Sequence, residues 1–316
     1  MGKICPLSKI LLPIDGSDNS LRAVRFAGYL GSALKDDLLN VNILRVITGG
    51  FISQHLSYID LMADVVGETD TFKKIKEEHI DKNIKPALEE AEKILKNLGV
   101  KAEIEKVVAE GDAAKKIIEI AEKKQCQTII MAKRGISEIE GFFLGSVTNK
   151  VIHSVKNQSV YIIGQKIHEV SECPLPEILI PIDGSRYSLK GVELAACLAS
   201  KLGSVRKIAL LRVINLAVIM ERLQGGIEPL EEANKIFEEA KKILLNAGIS
   251  ENIIQPLIKV GIPAEEILRE VDRGNYSMII IGRKGRSSLK DYVLGSVSSI
   301  VIERSKNPTI AIVNND

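Results

Sequence analysis

Two glycines and a Gly-Ser pair near the C-terminal end have the residue types and spacing to bind a phosphate. The segment Gly282-Arg283-Lys284-Gly285 follows an apolar run, and Gly295-Ser296 comes nine residues later. Glycines after a buried strand let the backbone approach a ligand, and the start of a following helix offers free N–H groups to an anion. The basic residues of the loop, Arg283 among them, add positive potential. This pattern predicts a bound polyphosphate.

An aspartate at the end of another strand supplies groups for the remainder of such a ligand. Asp183 lies in Pro181-Ile182-Asp183-Gly184-Ser185, and its carboxylate can accept hydrogen bonds from an adenine amino group or a ribose hydroxyl. Ligands of doubly wound sheets bind outside the carboxyl ends of the strands, so the two motifs meet if their strands are neighbours. Together they predict nucleotide binding. Taken singly, the glycines are equally well explained by tight turns, and Asp183 by an N-cap of the next helix.

Both motifs occur twice, so the chain is a tandem repeat. Ala132-Lys133-Arg134-Gly135 with Gly145-Ser146 precedes its C-terminal copy by 150 positions, and Pro13-Ile14-Asp15-Gly16-Ser17 precedes its copy by 168. The smaller offset means that the first half carries 18 extra residues, placed around 49–70. Apolar residues recur there at helical spacing, which favours a helix packed on its own domain, with a lid or partner-binding element as the alternative.

Short β-branched runs alternate with longer amphipathic stretches, which indicates parallel sheets with helices on both faces. The predicted fold class is α/β, with two tandem doubly wound domains at 1–168 and 174–316. Predicted strands are 9–14, 39–46, 102–108, 128–131 and 160–163, then 177–182, 207–213, 253–260, 277–281 and 309–313. Predicted helices are 20–34, 72–98, 113–124 and 146–155, then 188–202, 230–246, 264–272 and 296–305.

Composition narrows the class of function. The 316 residues carry 43 basic and 41 acidic side chains, and a net charge of +2 does not favour nucleic acid or a membrane surface as the main partner. No run is long and apolar enough for a membrane span, so a cytoplasmic protein is expected. The cysteines and histidines show no metal-ligand spacing. The cysteines are expected to be inert thiols, with a redox switch or a Cys5–Cys173 bridge as alternatives.

The order of these motifs resembles the universal stress protein family. The matching features are the Pro-Ile-Asp-Gly-Ser strand end, a Leu-Arg-Val-Ile second strand and the Gly, two, Gly, nine, Gly-Ser loop. The resemblance covers nearly the whole chain except the insertion and the polar segment 165–172, which is predicted to be the interdomain linker. The resemblance implies a Rossmann-like domain similar to adenine nucleotide alpha hydrolases, with an open five-stranded parallel sheet of order 3-2-1-4-5. It also implies ATP or AMP as ligand, Mg²⁺ as a companion ion, and domain pairing through the fifth strand.

The resemblance assigns site residues in both halves. In the second half, Asp183 and Val213 would contact the adenine with Gly184 and Ser185 nearby, and ribose and phosphates would lie on Gly282, Arg283, Gly285, Gly295, Ser296 and Val297. The first-half counterparts are Asp15, Val46, Gly135, Gly145, Ser146 and Val147. Ala132 departs from the pattern, where glycine is expected. If that position needs positive φ or lies against a phosphate, the methyl costs on the order of 1 kcal/mol, so the first site is expected to be weaker or empty.

Three functions remain open from the sequence. The leading prediction is a nucleotide-sensing stress-response protein in which ligand occupancy changes a surface that a partner recognises. A slow ATPase is the second, although no general base stands out among the loop residues and no Walker lysine is in its proper frame. An interaction protein with vestigial pockets is the third. Two chains are also able to form a homodimer of these paired domains.

Overall fold

The first half of the chain alternates strands and helices, as seen in a computed structural model that describes residues 6–48, 77–134, 144–165, 174–215, 219, 228–285 and 294–314. A π-helical turn, Ile80–Ile84, leads directly into the second helix listed below. The strands are β1 Lys9–Ile14, β2 Asn40–Ile47, β3 Glu103–Glu110, β4 Thr128–Ala132 and β5 Ser159–Ile163. The helices are α1 Asp18–Leu34, α2 Lys85–Asn97, α3 Ala113–Lys123 and α4 Ser146–Ser154.

The second half repeats this order. Its strands are β6 Glu177–Pro181, β7 Lys207–Ile214, β8 Ile254–Val260, β9 Met278–Gly282 and β10 Thr309–Val313. Its helices are α5 Arg186–Leu202, α6 Pro229–Asn246, α7 Pro263–Gly274 and α8 Ser296–Arg304. Each predicted strand and helix is therefore present, with ends that differ by a few residues, except that predicted helix 72–98 is described only from residue 77 and contains the π-helical turn.

All ten strands form one sheet in the order β3-β2-β1-β4-β5-β10-β9-β6-β7-β8. Neighbouring strands within each half are parallel, and each half has the order 3-2-1-4-5. This order places the carboxyl ends of the first and fourth strands side by side, because β1 pairs with β4 and β6 pairs with β9. The α/β class and the strand order predicted from the resemblance are confirmed.

The two halves join through their fifth strands. β5 and β10 pair in antiparallel register, with Tyr161 opposite Ala311 and Ile162 opposite Ile310. Tyr161 is fully buried beside Phe26, and its hydroxyl has no hydrogen-bond partner among the described residues. The predicted pairing of the domains within the chain is therefore confirmed, and it relates the halves by an approximate twofold axis.

Helices cover both faces of the sheet and enclose two apolar cores. One core lies under α1, α2, α5 and α6, and the other under α3, α4, α7 and α8. The central strands are buried on both sides, as in the all-buried pattern of β5 and β10, which accounts for their near-continuous apolar sequence. Because each core contains residues from both halves, the halves share their packing.

Several predicted helix ends are confirmed by their caps. The Asp112 carboxylate accepts a hydrogen bond from the Lys115 N–H at the start of α3, and Pro263 occupies the first turn of α7. Gly99 and Gly248 follow α2 and α6 with φ of +84° and +80°, a conformation that favours glycine. These local features mark where the helices begin and end.

Other sequence-based expectations have different outcomes. Cys126 is a buried free thiol, whereas Cys197 on α5 is disulfide-bonded, so the expectation of an inert thiol is wrong for Cys197. The helix predicted in the 49–70 insertion lies outside the described residues. Within the described part of the chain, none of the helices is both long and apolar enough to cross a membrane.

Candidate functional site

A cavity of about 580 Å³ opens at the carboxyl ends of β1, β2 and β4 in the first half. It is lined by Asp15, Val46, Gly145, Ser146 and Val147, which are five of the six first-half residues predicted for the site. The sixth, Gly135, lies outside the described residues. The strand order explains the grouping, since β1 lies between β2 and β4 in the sheet.

The turn after β1 holds the Asp15 carboxylate in place. Its Oδ1 accepts hydrogen bonds from the Ser17 N–H at 3.0 Å and from the Ser17 hydroxyl at 2.6 Å. Ser17 in turn caps α1 by accepting a hydrogen bond from the Ser20 N–H. Gly16 has a φ of +82°, which explains the glycine in this turn. The N-cap is therefore Ser17, and Asp15 orients the capping residue.

The start of α4 forms another wall of the cavity. Gly145 is its N-cap and no side chain caps the helix, so its first N–H groups are suited to an anion. The Gly145 N–H donates to the Lys133 carbonyl at 2.9 Å, and a methyl group at Gly145 would lie 3.3 Å from that oxygen. Glycine thus allows the helix start and the end of β4 to approach closely.

Arg45 adds a positive charge that the sequence-based prediction missed. Its side chain lines the cavity and donates to the Ile14 carbonyl at 3.3 Å, while its Nε is buried and has no acceptor among the described residues. Burial lowers the pKa of Arg45, and the negative charge of Asp15 opposes that shift. The sequence feature that could have revealed it is an arginine within an otherwise apolar strand, in Leu44-Arg45-Val46-Ile47.

The π-helical turn contributes a second feature that was missed. Ile84 and the nearby His79 line the cavity, and His79 Nδ1 is 3.1 Å from the Asn83 amide nitrogen. Turns of this kind are rare and are frequent at functional sites. The corresponding part of the second half belongs to the regular helix α6.

The second half also brings its predicted residues together. Asp183 Oδ1 accepts from the Ser185 N–H at 2.9 Å, and Ser185 caps α5, as in the first half. A methyl group at Gly285 would lie 2.7 Å from Asp183 Oδ2, so the carboxylate and the glycine loop are in contact. Gly295 is the N-cap of α8, again with no side-chain cap.

The remaining residues predicted for the second site lie around this contact. Val213 is 7% exposed on β7, and Gly184 has a φ of +77° in the turn after β6. Ser296 and Val297 form the first turn of α8. Arg283 and Lys284 are each only 3% exposed, whereas their counterparts Lys133 and Arg134 are half-buried.

The guanidinium of Arg283 contacts the first half of the chain. It donates to the His153 carbonyl at 2.9 Å and the Val155 carbonyl at 2.8 Å, and both of these residues belong to the first half. It also donates to Asn314 Oδ1 at 3.3 Å, and burial lowers its pKa. That this side chain adds positive potential to its own loop stays a prediction, because most of that loop lies outside the described residues.

One of the two reasons given for a weaker first site, a positive φ at position 132, does not hold. Neither Ala132 nor Gly282 has a positive φ. Glycine at 282 is explained by packing, because a methyl group there would lie 2.8 Å from Tyr187 Cβ and 3.0 Å from the Ser188 nitrogen in the first turn of α5. Ala132 lines the first-half cavity.

Comparison with known proteins agrees with this architecture. The model of the "Universal stress protein family" matches residues 6–163 and 176–312. A universal stress protein of Mycolicibacterium smegmatis is 27% identical over 321 aligned residues, covering 96% of both chains. Universal stress protein YxiE of Bacillus subtilis is 31% identical over 149 residues, covering 43% of this chain and 97% of its own.

A solved structure shows the same arrangement of two halves. The crystal structure of a universal stress protein from Archaeoglobus fulgidus superimposes with a TM-score of 0.67 at 24% identity, and covers 98% of this chain and 99% of its own. At this level of identity the likeness concerns the fold.

Proposed function

Because the chain belongs to the universal stress protein family, we propose that it binds an adenine nucleotide, ATP or AMP, and acts as a nucleotide sensor in a stress response. One observation carries the proposal: the first-half cavity joins the oriented carboxylate of Asp15 to the uncapped start of α4. Hydrogen-bond acceptors and donors for the two ends of a nucleotide thus line one space.

The phosphates would lie at the start of α4. Ser146 and Val147 offer backbone N–H groups there, next to Gly145, whose own N–H is bonded to the Lys133 carbonyl, and Ser146 adds a hydroxyl. Charge-assisted hydrogen bonds contribute about 1.5–3 kcal/mol each, so a few of them support micromolar binding after the entropic cost. The described residues include no group of three potential metal ligands, so any Mg²⁺ would depend on the phosphate oxygens for most of its coordination.

The base and ribose would lie across β1 and β2. Asp15 would accept hydrogen bonds from the adenine amino group or a ribose hydroxyl, and Val46 would line the base. Arg45 faces the same cavity, and its buried Nε lacks an acceptor among the described residues, so it offers a donor to a ligand oxygen or ring nitrogen.

In the second half, we propose a weaker site on Asp183, Gly184, Ser185, Val213, Gly282, Gly285, Gly295, Ser296 and Val297, with Arg283 contributing through its backbone. This ranking is the reverse of the one expected from Ala132. It rests on the contact between Asp183 and Gly285, which must separate before a nucleotide can lie between them. Separation costs free energy, whereas the described residues of the first half already leave a cavity beside Asp15.

Calorimetric titration of the full chain with ATP and with AMP tests this proposal. The matched variants Asp15→Ala and Asp183→Ala remove equivalent carboxylates from equivalent turns. We expect Asp15→Ala to weaken the tighter binding step about tenfold or more and Asp183→Ala to leave it within about twofold. Mass spectrometry of small molecules released on denaturation would identify a co-purifying nucleotide.

The outcomes separate the alternatives. A wild-type chain that gives neither binding heat nor a rise in melting temperature with ATP and AMP would refute nucleotide binding, since saturation at a hundredfold excess over Kd stabilises a fold by about 2.7 kcal/mol. That result would favour an interaction protein with vestigial pockets. Steady phosphate release during the ATP titration would instead indicate a slow ATPase.

A further inference from the structure

Two basic side chains, one in each half, contact the other half of the chain. Each reaches the end of the helix that follows the other half's glycine loop, α4 or α8. Lys133 Nζ donates to the Glu303 carbonyl at 2.8 Å and to the Ser305 carbonyl at 2.7 Å, at the end of α8. Arg283 donates to His153 and Val155 at the end of α4. These pairs of contacts correspond to one another under the 150-residue offset of the repeat.

Backbone bonds tie the same two residues to their own half. The Lys133 carbonyl accepts from the N–H of Gly145, the N-cap of α4, at 2.9 Å, and the Arg283 carbonyl accepts from the N–H of Gly295, the N-cap of α8, at 2.9 Å. Each residue thus contacts the beginning of one of these helices through its backbone and the end of the other through its side chain.

These contacts matter because α4 and α8 are short. Each has nine residues, and their last carbonyls have no partner within the helix. A cation at a helix C-terminus satisfies those carbonyls and complements the helix dipole. Because a helix of this length is marginal without tertiary contacts, the direction of its first N–H groups depends on how its end is held.

We propose that Arg283 is a positioning residue for the first nucleotide site and Lys133 for the second, so that each site is completed by the opposite half. This inference rests on the proposed function, because it assigns both residues to nucleotide sites. Arg283 lies in the loop of the second half, yet it would position the site of the first half. It also means that the halves are not independent binding units.

Photolabelling with 8-azido-ATP, read peptide by peptide, measures the two sites separately in the intact chain. We expect Arg283→Met to raise the concentration that half-saturates labelling of first-half peptides about tenfold, and to change second-half labelling less than about threefold. Lys133→Met should have the reverse effect. Arg269→Met removes an exposed arginine on α7 and should change neither.

The repeat supplies conservative variants. Arg283→Lys installs the residue that makes the equivalent contacts in the first half, and Lys133→Arg does the converse, so both should bind within about threefold of wild type. Rescue by these variants distinguishes positioning through the helix-end contacts from a general loss of packing. Equal weakening of both sites by Arg283→Met, or weakening of the second site alone, would overturn the proposal.

Hydrogen exchange provides a readout that needs no ligand. Arg283→Met should accelerate exchange of the α4 amides near residues 150–155 and leave α8 unchanged. If wild type takes up no label but α4 exchange responds in this way, the nucleotide proposal fails while the crossed contact stands. If α4 exchange is unaffected in the variant, the crossed contact does not position α4 and the inference is wrong. Should Arg283→Met not fold, Arg283→Gln replaces it in both measurements.

Discussion

The two halves share a strand order and a set of turn motifs, yet the described residues at their strand-end sites are arranged differently. In the first half, Asp15, Arg45 and the start of α4 line a cavity, whereas in the second half Asp183 contacts Gly285 and the basic loop residues are buried. Two substitutions beside the motifs accompany this difference. A repeat can thus keep its binding residues and alter the space between them.

The first of these substitutions is Ala132 against Gly282. Glycine lets the first turn of α5 pack against the end of β9, with Tyr187 Cβ only 2.8 Å from the place a methyl group would occupy. The second substitution is Asn83 against Glu232. In the second half, Glu232 lies 3.5 Å from Arg212, and both side chains are mostly buried. Arg45 is the counterpart of Arg212, and it lines the cavity instead.

The largest expected effect comes from giving the second half the residue of the first. Gly282→Ala places a methyl group against the backbone of Tyr187 and the Ser188 nitrogen, so the first turn of α5 must shift. We expect the free energy of unfolding to fall by about 1–3 kcal/mol, as for other overpacked sites. Urea denaturation measures this change.

The reverse substitution is the control for this prediction. Ala132→Gly removes a methyl group that lines an open cavity, and should cost less than about 1 kcal/mol, mainly through backbone entropy. Equal losses for the two variants would mean that close packing does not explain Gly282, and the contrast between the halves would need another cause.

Local signals in the sequence were sufficient to predict the strands and helices, whereas the strand order and the pairing of the halves were predicted from the resemblance to the family. Apolar runs buried on both faces and glycine or serine at helix ends leave clear local signals. Arg45, His79 and the crossed contacts of Arg283 were missed, because they depend on which side chains tertiary packing brings together. The positive φ suggested for position 132 was wrong, because a glycine in the matching position can be required by backbone conformation or by packing, and the sequence does not distinguish these.

A loss of stability of similar size is expected from breaking the ion pair that is found in the second half. Glu232→Gln leaves the partly buried Arg212 without the Glu232 charge, and we expect a loss of about 2 kcal/mol in unfolding free energy. The exposed neighbour Glu231 gives a matched control, since Glu231→Gln should change stability by less than about 0.5 kcal/mol. If Glu232→Gln were as mild as the control, charge pairing would not account for the arrangement of this half.

The smallest expected effect concerns pH and distinguishes Lys133 from Arg283. Burial lowers the pKa of Lys133 to about 8, aided by the charges of Arg134 and Lys306 and opposed by Glu303. An unfolded lysine titrates near pH 10.4, so protonation disfavours the folded state in full below pH 8, and this cost disappears as the pH rises towards 10.4. The stability of wild type relative to Lys133→Arg should therefore increase between pH 7.5 and 9.5.

The magnitude should stay below about 1 kcal/mol, because the Lys133 side chain is partly exposed and the two carbonyls at the end of α8 favour its ammonium form. Urea unfolding of both proteins at pH 7.5, 8.5 and 9.5 gives the difference directly. Arg283→Lys extends the test to the other half: its new amine lies in a more buried position, so it should gain stability relative to wild type over the same range. A stability difference that is constant with pH, or that changes in the opposite direction, would mean that burial does not disfavour the ammonium form of Lys133. The two crossed contacts would then differ only in the shape of their side chains.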